Sequence, residues 1–308
     1  MSGNDPKVAE LPSVMRTTGW DDYALVDSGG GRKLERYGPL NVVRPEPQCL
    51  WAPSLPASAW DAADAVFDPS DEEDAGRWKL KGKPPDSWPL GWGDVRFQGR
   101  LTNFRHLAFF PEQAANWAWL DAAVRSAVSE LGAGQPKVLN LFGYTGVASL
   151  VMAAAGAAVT HVDASKRAVA WARENAELSG ISTIRWIVED AKKYVAREVR
   201  RGSTYEGIIL DPPKYGRGPD GEVWRLFEDL PELASLCASL LSENAKFLVL
   251  NAYAERISGA ALSGLLADRL KGRGGRIEWG ELALVQQDGA REIGMSFFAR
   301  WSAKEERG

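Results

Sequence analysis

The chain has 308 residues, 45% of them hydrophobic and 25% charged, and a formal net charge of −4. That length allows one large core or one core with a smaller companion, and no apolar run approaches the roughly 20 residues needed to cross a bilayer. The polar start Met1–Glu10 lacks the apolar segment of a secretory leader, and two cysteines (Cys49, Cys237) beside two histidines are too few for a disulfide framework or a zinc site. The expectation is a reduced, cytoplasmic, metal-free protein off the membrane; nothing in the sequence sets an oligomeric state.

The charge is uneven along the chain. Residues 1–76 hold fourteen acidic and six basic side chains, whereas 77–105 hold seven basic ones (Arg77, Lys79, Lys81, Lys83, Arg96, Arg100, Arg105) against Asp86 and Asp94. Such a stripe can track phosphates, or it can be a solvated surface.

From about residue 20 to 110 the chain reads as short strands broken by Gly, Pro and Asp. Tyr23–Asp27, Leu40–Val43, Arg77–Lys81 and Asp94–Gln98 are strand-like; Ser28–Gly31 and Arg44–Pro47 are turns. The acidic stretch 61–76 reads as a surface loop. Six tryptophans (Trp20, Trp51, Trp60, Trp78, Trp88, Trp92) are expected to pack in a small β-rich region spanning 1–110.

Residues 111–308 follow another grammar. A helix over about 112–132 leads to the buried-type strand Lys137–Phe142, and strands and helices then alternate: helix Thr145–Ala155, strand Ala158–Val162, helix Ser165–Leu178, strand Thr183–Val188, a helix over about 190–201, strand Tyr205–Leu210, a helix over about 222–242, strand Ala245–Leu250 and a helix over about 257–271. This alternation predicts a parallel sheet wrapped by helices. Glu281–Gln287 and Glu292–Trp301 read as a final hairpin joined through Asp288-Gly289, so the sheet should finish on an antiparallel strand.

In such a sheet ligands bind outside the carboxyl ends of the strands, so the loops there hold the candidates. After the first strand comes Asn140-Leu-Phe-Gly143-Tyr-Thr-Gly146, whose glycines permit close backbone approach or merely a tight turn. It is not the three-glycine dinucleotide fingerprint, which weakens a nicotinamide-dependent oxidoreductase reading. After the second strand, Asp163 precedes Ala164-Ser165 and can take a ribose diol or cap the next helix. After the third, Asp190-Ala191 can meet an adenine amino group or serve as another cap. After the fourth stands Asp211-Pro212-Pro-Lys214-Tyr215: a carboxylate, two prolines that stiffen the backbone so carbonyls point at a planar acceptor, and an aromatic ring to stack on it.

Val138–Gly146, Val162-Asp163-Ala-Ser, Ala172-Arg-Glu-Asn175, Asp190-Ala191 and Asp211–Tyr215 together resemble the class I S-adenosylmethionine-dependent RNA methyltransferases, and within them the bacterial 23S ribosomal RNA cytosine-5 group. Phe109-Phe-Pro-Glu-Gln113 with Asn116 resembles the segment preceding that family's first strand. The resemblance spans about residues 95–301. It implies a class I, Rossmann-like α/β fold with a mostly parallel seven-stranded sheet and an antiparallel last strand, S-adenosylmethionine as cofactor, and RNA (ribosomal RNA) as partner. It also implies that Asn140, Phe142, Tyr144, Thr145, Gly146, Asp163, Ala164, Asp190, Ala191 and Asp211 line the cofactor pocket, with Gln113 beside them; Gly143, Ser165 and Pro212 share the same loops. Asp211, Lys214 and Tyr215 are the catalytic candidates, with Arg217 and Tyr253 on the acceptor side.

The chain departs from that group twice. The nucleophilic cysteine expected after the fifth strand is absent from Leu250-Asn251-Ala-Tyr253, and a thiolate at the other known place, after the paired prolines, is replaced by Lys214. The N-terminal region does not resemble that group's RNA-binding domain. An exocyclic base nitrogen therefore suits Asp211-Pro-Pro better than cytosine C5. Two other readings stand beside this one: a small-molecule methyltransferase, and a cofactor-binding protein without turnover.

Overall fold

The computed structural model describes residues 4–70, 75–132, 134–253 and 256–303. The chain divides into two compact units, and not by a single cut. The larger comprises residues 1–15, 116–282 and 295–308; the smaller comprises 16–115 and 283–294.

The smaller unit holds β3 (Tyr23–Gly29), β4 (Arg32–Tyr37), β5 (Leu40–Pro45), β6 (Ala65–Pro69) and β7 (Gly76–Leu80), hydrogen-bonded in that order, and a separate ribbon of β8 (Ser87–Trp92) and β9 (Val95–Arg100). The sequence was expected to leave 61–76 as surface loop. Instead β6 runs through it with Ala65 and Phe67 buried, because that Ala-Val-Phe run alternates under its acidic flanks. A short helix, α1 (Ala57–Asp61), precedes it. Trp60 and Trp88 are buried and the other four tryptophans half-buried. The centre of the unit is polar: buried Glu35 accepts Nε and Nη2 of Arg44, each at 2.7 Å, and the hydroxyl of Tyr23 at 2.9 Å. Arg44 and Lys33 hold the Glu35 carboxyl down at about 2 against the burial that opposes them.

The larger unit is built on a nine-stranded sheet. Its core strands are β10 (Lys137–Leu141), β11 (Ala158–Asp163), β12 (Arg185–Val188), β13 (Gly207–Leu210) and β16 (Phe247–Ala252), with the hairpin β17 (Arg276–Val285) and β18 (Glu292–Ser302). The order β17-β18-β16-β13-β10-β11-β12 places the first of them in the middle, parallel to its neighbours on both sides, while β18 runs antiparallel to β16. The expected class I sheet is therefore present. It is extended by two strands the sequence did not announce, β1 (Lys7–Val8), parallel to β17, and β2 (Ser13–Thr17), also on β17. A two-residue strand has no periodicity to read; Asn4, Asp5 and Ala9 secure it by hydrogen bonds to Gly272, Gly274 and Trp279.

Helices α2 (Ala114–Leu131), after a single 3-10 turn at Pro111–Gln113, α3 (Val147–Ala154), α4 (Lys166–Leu178), α5 (Ala191–Arg200), α6 (Leu226–Leu240) and α7 (Gly259–Arg269) follow the expected alternation. The exception is the stretch before α6. The helix expected from about 222 begins at Leu226, because Val223–Arg225 (β15) pairs with Tyr215–Arg217 (β14) as a small hairpin. Trp224, Leu226, Leu230, Leu233 and Cys237 pack with Leu139, Ile208 and Leu248 of the sheet in one continuous core. Among the described residues no helix is long and apolar enough to cross a membrane.

Candidate active site

The strand order reverses at β10, so the carboxyl ends of β12, β11, β10 and β13 form one rim, and the loops that leave them gather at the switch point of the sheet.

The loop after β10 is the most constrained. Phe142 (φ 57°) and Tyr144 (φ 49°) are the only non-glycine residues with positive φ among those described, and Gly146 follows at φ 84°. A side chain in that region of φ/ψ space is held there against a conformational cost of about 1–3 kcal/mol each. Several contacts hold the loop: Gly143 N–H donates to the Val162 carbonyl, Gly146 N–H to the Gly143 carbonyl, and the buried Asn175 amide donates to the Thr145 carbonyl at 2.9 Å. Gly146 also has no room for a side chain, since a Cβ would stand 2.9 Å from the Cβ of Ala172. The Ala172-Arg-Glu-Asn175 segment thus acts as the seat of this loop. The glycine at 143 has a cause that the sequence could not show: a Cβ there would fall within 2.4–2.5 Å of the His161 ring.

Asp163 closes the next strand. Its Oδ2 accepts the Tyr144 N–H at 2.9 Å and its Oδ1 the Ser165 N–H at 2.8 Å, joining the first two loops. Burial pushes this carboxyl above its ordinary value while those two N–H groups pull against it. A carboxylate offers about four acceptor sites, so a vicinal diol can still bridge its two oxygens. Ser165 caps α4 by accepting the Ala168 N–H, and Ala164 lies half-buried beside it. The cap of α4 is therefore Ser165 and not Asp163.

Asp190 is buried, and its Oδ1 caps α5 by accepting the Lys193 N–H at 2.9 Å; Ala191 is buried in the first turn. Asp211 and Pro212 leave β13 half-buried and buried respectively, and Lys214 and Tyr215 are exposed. The Pro213 carbonyl accepts the indole N–H of Trp224 at 2.7 Å, and the Lys214 carbonyl accepts Leu226 N–H. The run is therefore braced by the hairpin below it. Arg217 is exposed on that hairpin, and Tyr253 is half-buried after β16. Asn251, at the end of β16, accepts the Asn116 amide at 3.0 Å, both side chains being buried.

Asn140 turns its amide to the Ser149 hydroxyl at 2.8 Å, inside the sheet–helix layer. Gln113 is buried in the turn before α2 and belongs to the smaller unit. Sequence reasoning also passed over His161 and Ser149, which lie directly under the loop. Their signal was a polar pair in an otherwise apolar layer.

A parallel sheet of this order with acidic strand ends, a strained loop at the switch point and an antiparallel seventh strand defines a nucleoside-cofactor-binding α/β protein of the class I type. No family model matches the chain. It is 47% identical to the S-adenosylmethionine-dependent methyltransferase from Agrobacterium tumefaciens, whose crystal structure it matches with a TM-score of 0.92 over 99% of this chain and 97% of that one. The chain belongs to the S-adenosylmethionine-dependent methyltransferases. It is also 34% identical over 131 residues to ribosomal RNA large subunit methyltransferase K/L of Shewanella frigidimarina (41% of this chain) and 39% identical over 94 residues to ribosomal RNA large subunit methyltransferase I of Aeromonas salmonicida (30% of this chain). The matched segments span only 18% and 24% of those two relatives.

Proposed function

We propose that the protein transfers a methyl group from S-adenosylmethionine to an exocyclic nitrogen of a base in ribosomal RNA, in the cytoplasm. The observation that carries this reading is the gathering of Asp163, Asp190, Asp211 and the strained Phe142–Gly146 loop on the carboxyl rim of four adjacent parallel strands. When bound, S-adenosylmethionine supplies a methyl group on a sulfonium centre. Asp163 takes the ribose diol; Asp190 faces the adenine; the loop from Phe142 to Gly146, with Ala164 and Ala191, lines the remainder. Asp211 accepts an N–H of the acceptor amine as positive charge develops, in the geometry that Pro212 and Pro213 stiffen. Lys214, Tyr215, Arg217 and Tyr253 attend the acceptor, Tyr215 by stacking. The base must be unpaired or extruded to reach them.

A thiolate mechanism finds no support. Cys49 and Cys237 are both fully buried; burial pushes the Cys49 thiol up to about 11 and the Cys237 thiol well above its usual value. Cys237 packs inside the core against the α6 leucines. The stretch where a nucleophile for cytosine C5 is expected reads Leu250-Asn251-Ala-Tyr253, without a cysteine, and its Asn251 is engaged with Asn116. The net charge of −4 favours one second reading, a small-molecule acceptor.

The test is mass spectrometry of ribosomal RNA nucleosides from a strain lacking the protein beside its parent. A missing N-methylated base, restored when purified protein and S-adenosylmethionine act on the deletion-strain RNA, is expected. A missing 5-methylcytidine would overturn the nitrogen assignment, and no difference in ribosomal RNA would overturn the substrate.

A further inference from the structure

The register of the sheet sets Asn140, His161 and Trp186 side by side on β10, β11 and β12. Adjacent strands in register point such a row to one face, so three unlike side chains form a strip directly behind the loop that follows β10. Asn140 donates to the Ser149 hydroxyl at 2.8 Å, and that hydroxyl lies 3.0 Å from His161 Nδ1. The Trp186 ring stands 4.9 Å from the imidazole. His161 is fully buried, and its Nε2 has no hydrogen-bond partner among the described residues. Leaving a buried polar atom unsatisfied is costly, so its retention asks for a reason.

The loop supplies one. The imidazole fills the space in which a Cβ of residue 143 would lie, with Cε1 at 2.4 Å, Nδ1 at 2.5 Å and Nε2 at 3.1 Å of that point; Trp186 likewise comes to 3.5 Å of the Cβ position of Gly146. Gly143 is not at positive φ, so its lack of a side chain answers this ring and not its own backbone. We propose that His161, held by Ser149 and Asn140, is a positioning residue for the cofactor: its ring is the floor on which Gly143 rests, and it keeps the Phe142 and Tyr144 backbone in the left-handed conformation that delivers the Tyr144 N–H to Asp163. The proposal rests on the reading of this loop as the S-adenosylmethionine site. An aliphatic residue of the same volume would fill the floor without fixing the ring plane, since only Nδ1 ties it to Ser149. Burial keeps the imidazole neutral, which suits a floor beneath a cationic sulfonium.

The test is a double-mutant cycle on the full chain, read by calorimetric affinity for S-adenosylmethionine and by hydrogen exchange of the Tyr144 amide without ligand. Gly143→Ala should weaken binding at least tenfold and speed exchange of the Tyr144 amide. His161→Ala alone should weaken binding severalfold. The pair Gly143→Ala/His161→Ala should bind at least fivefold more tightly than Gly143→Ala alone, because the methyl then enters the space the ring has left. A general loss of stability would lower the melting temperature of each variant without that recovery. Should His161→Ala fail to fold, His161→Asn replaces it and keeps a partner for Ser149. Losses that simply multiply, or unchanged binding and exchange in the single variants, overturn the proposal. Absence of wild-type binding with the exchange pattern intact would instead overturn the cofactor reading and leave only the support of the loop by His161.

Discussion

At the end of β11 the Asp163 carboxylate accepts two backbone N–H groups from two different loops, and burial works against its charge. Charge-assisted hydrogen bonds to a diol are each worth roughly 1.5–3 kcal/mol. Asp163→Ala should therefore weaken S-adenosylmethionine binding at least about tenfold by calorimetry, and unchanged affinity would remove Asp163 from the site. In the proposed reaction Asp211 acts on the transition state more than on cofactor binding. Asp211→Asn should lower turnover by roughly a hundredfold while cofactor affinity changes much less. His161 has a consequence for acid stability. Burial drops its imidazole from 6.5 to about 3. Above pH 6.5 neither the folded nor the unfolded chain holds the proton. Below it only the unfolded chain takes it up, so stability falls as pH falls from 6.5 towards about 3. Between pH 7 and 5 this contributes on the order of 2 kcal/mol, at about 1.4 kcal/mol per unit. Denaturant titrations at the two pH values should show His161→Asn losing less stability on acidification than the wild type, by about that amount.

Among the elements, the hairpin β14–β15 differs most from what the sequence predicted, and it braces the Asp211-Pro-Pro-Lys run. Its tip is clasped to α5: Lys193 Nζ lies 2.7 Å from Asp220, 3.1 Å from Glu222 and 3.6 Å from Glu189. Asp220 and then Glu222 raise the Lys193 pKa. Exposed ion pairs contribute little to global stability, so the clasp is a local device. Lys193→Ala should leave the melting temperature nearly unchanged while hydrogen exchange over 216–225 speeds up severalfold. Unaltered exchange would show that Trp224 on the Pro213 carbonyl holds the hairpin alone. The run 222–242 could be read as one helix because its leucines continue the helical period. What stops the helix is the pairing of Tyr215–Arg217 with Val223–Arg225, which local propensity does not encode.

For the whole molecule, the stripe from Arg77 to Arg105 is the place to test a nucleic-acid acceptor. The stripe is distributed over β7, the segment after it, β9 and the segment before Pro111. Lys79 pairs with Asp68 at 2.9 Å, and Lys81 donates to the Asp61 carbonyl. Both remain exposed, so these ties compete weakly with phosphate. Reversing Lys79, Lys81 and Lys83 to Glu should weaken RNA binding and flatten its salt dependence by up to about 2 in log–log slope, at about 0.7 per contact on a single strand. S-adenosylmethionine affinity should be unaffected. RNA affinity that ignores both salt and the reversal favours the small-molecule acceptor.

The sequence by itself determined the alternation of strands and helices, the antiparallel last strand turned through Asp288-Gly289, and the polar residues at successive strand ends. Each of these is written in local periodicity, in turn chemistry or in a short motif, so it survives reading in one dimension. Ser165 as a cap and the buried Cys237 were legible for the same reason. Only the tertiary structure paired those polar residues: the Asn140 amide with Ser149, Asn251 with Asn116, and one oxygen of Asp190 with the first turn of α5. It also revealed β1, β2 and β6, the hairpin before α6, and the assignment of residues 283–294 to the smaller unit. Those features depend on pairing between residues far apart in the chain. The same holds for Gly143, which looks in sequence like a ligand-binding glycine. Its partner is an imidazole eighteen residues away, brought beneath it by the register of β10 with β11.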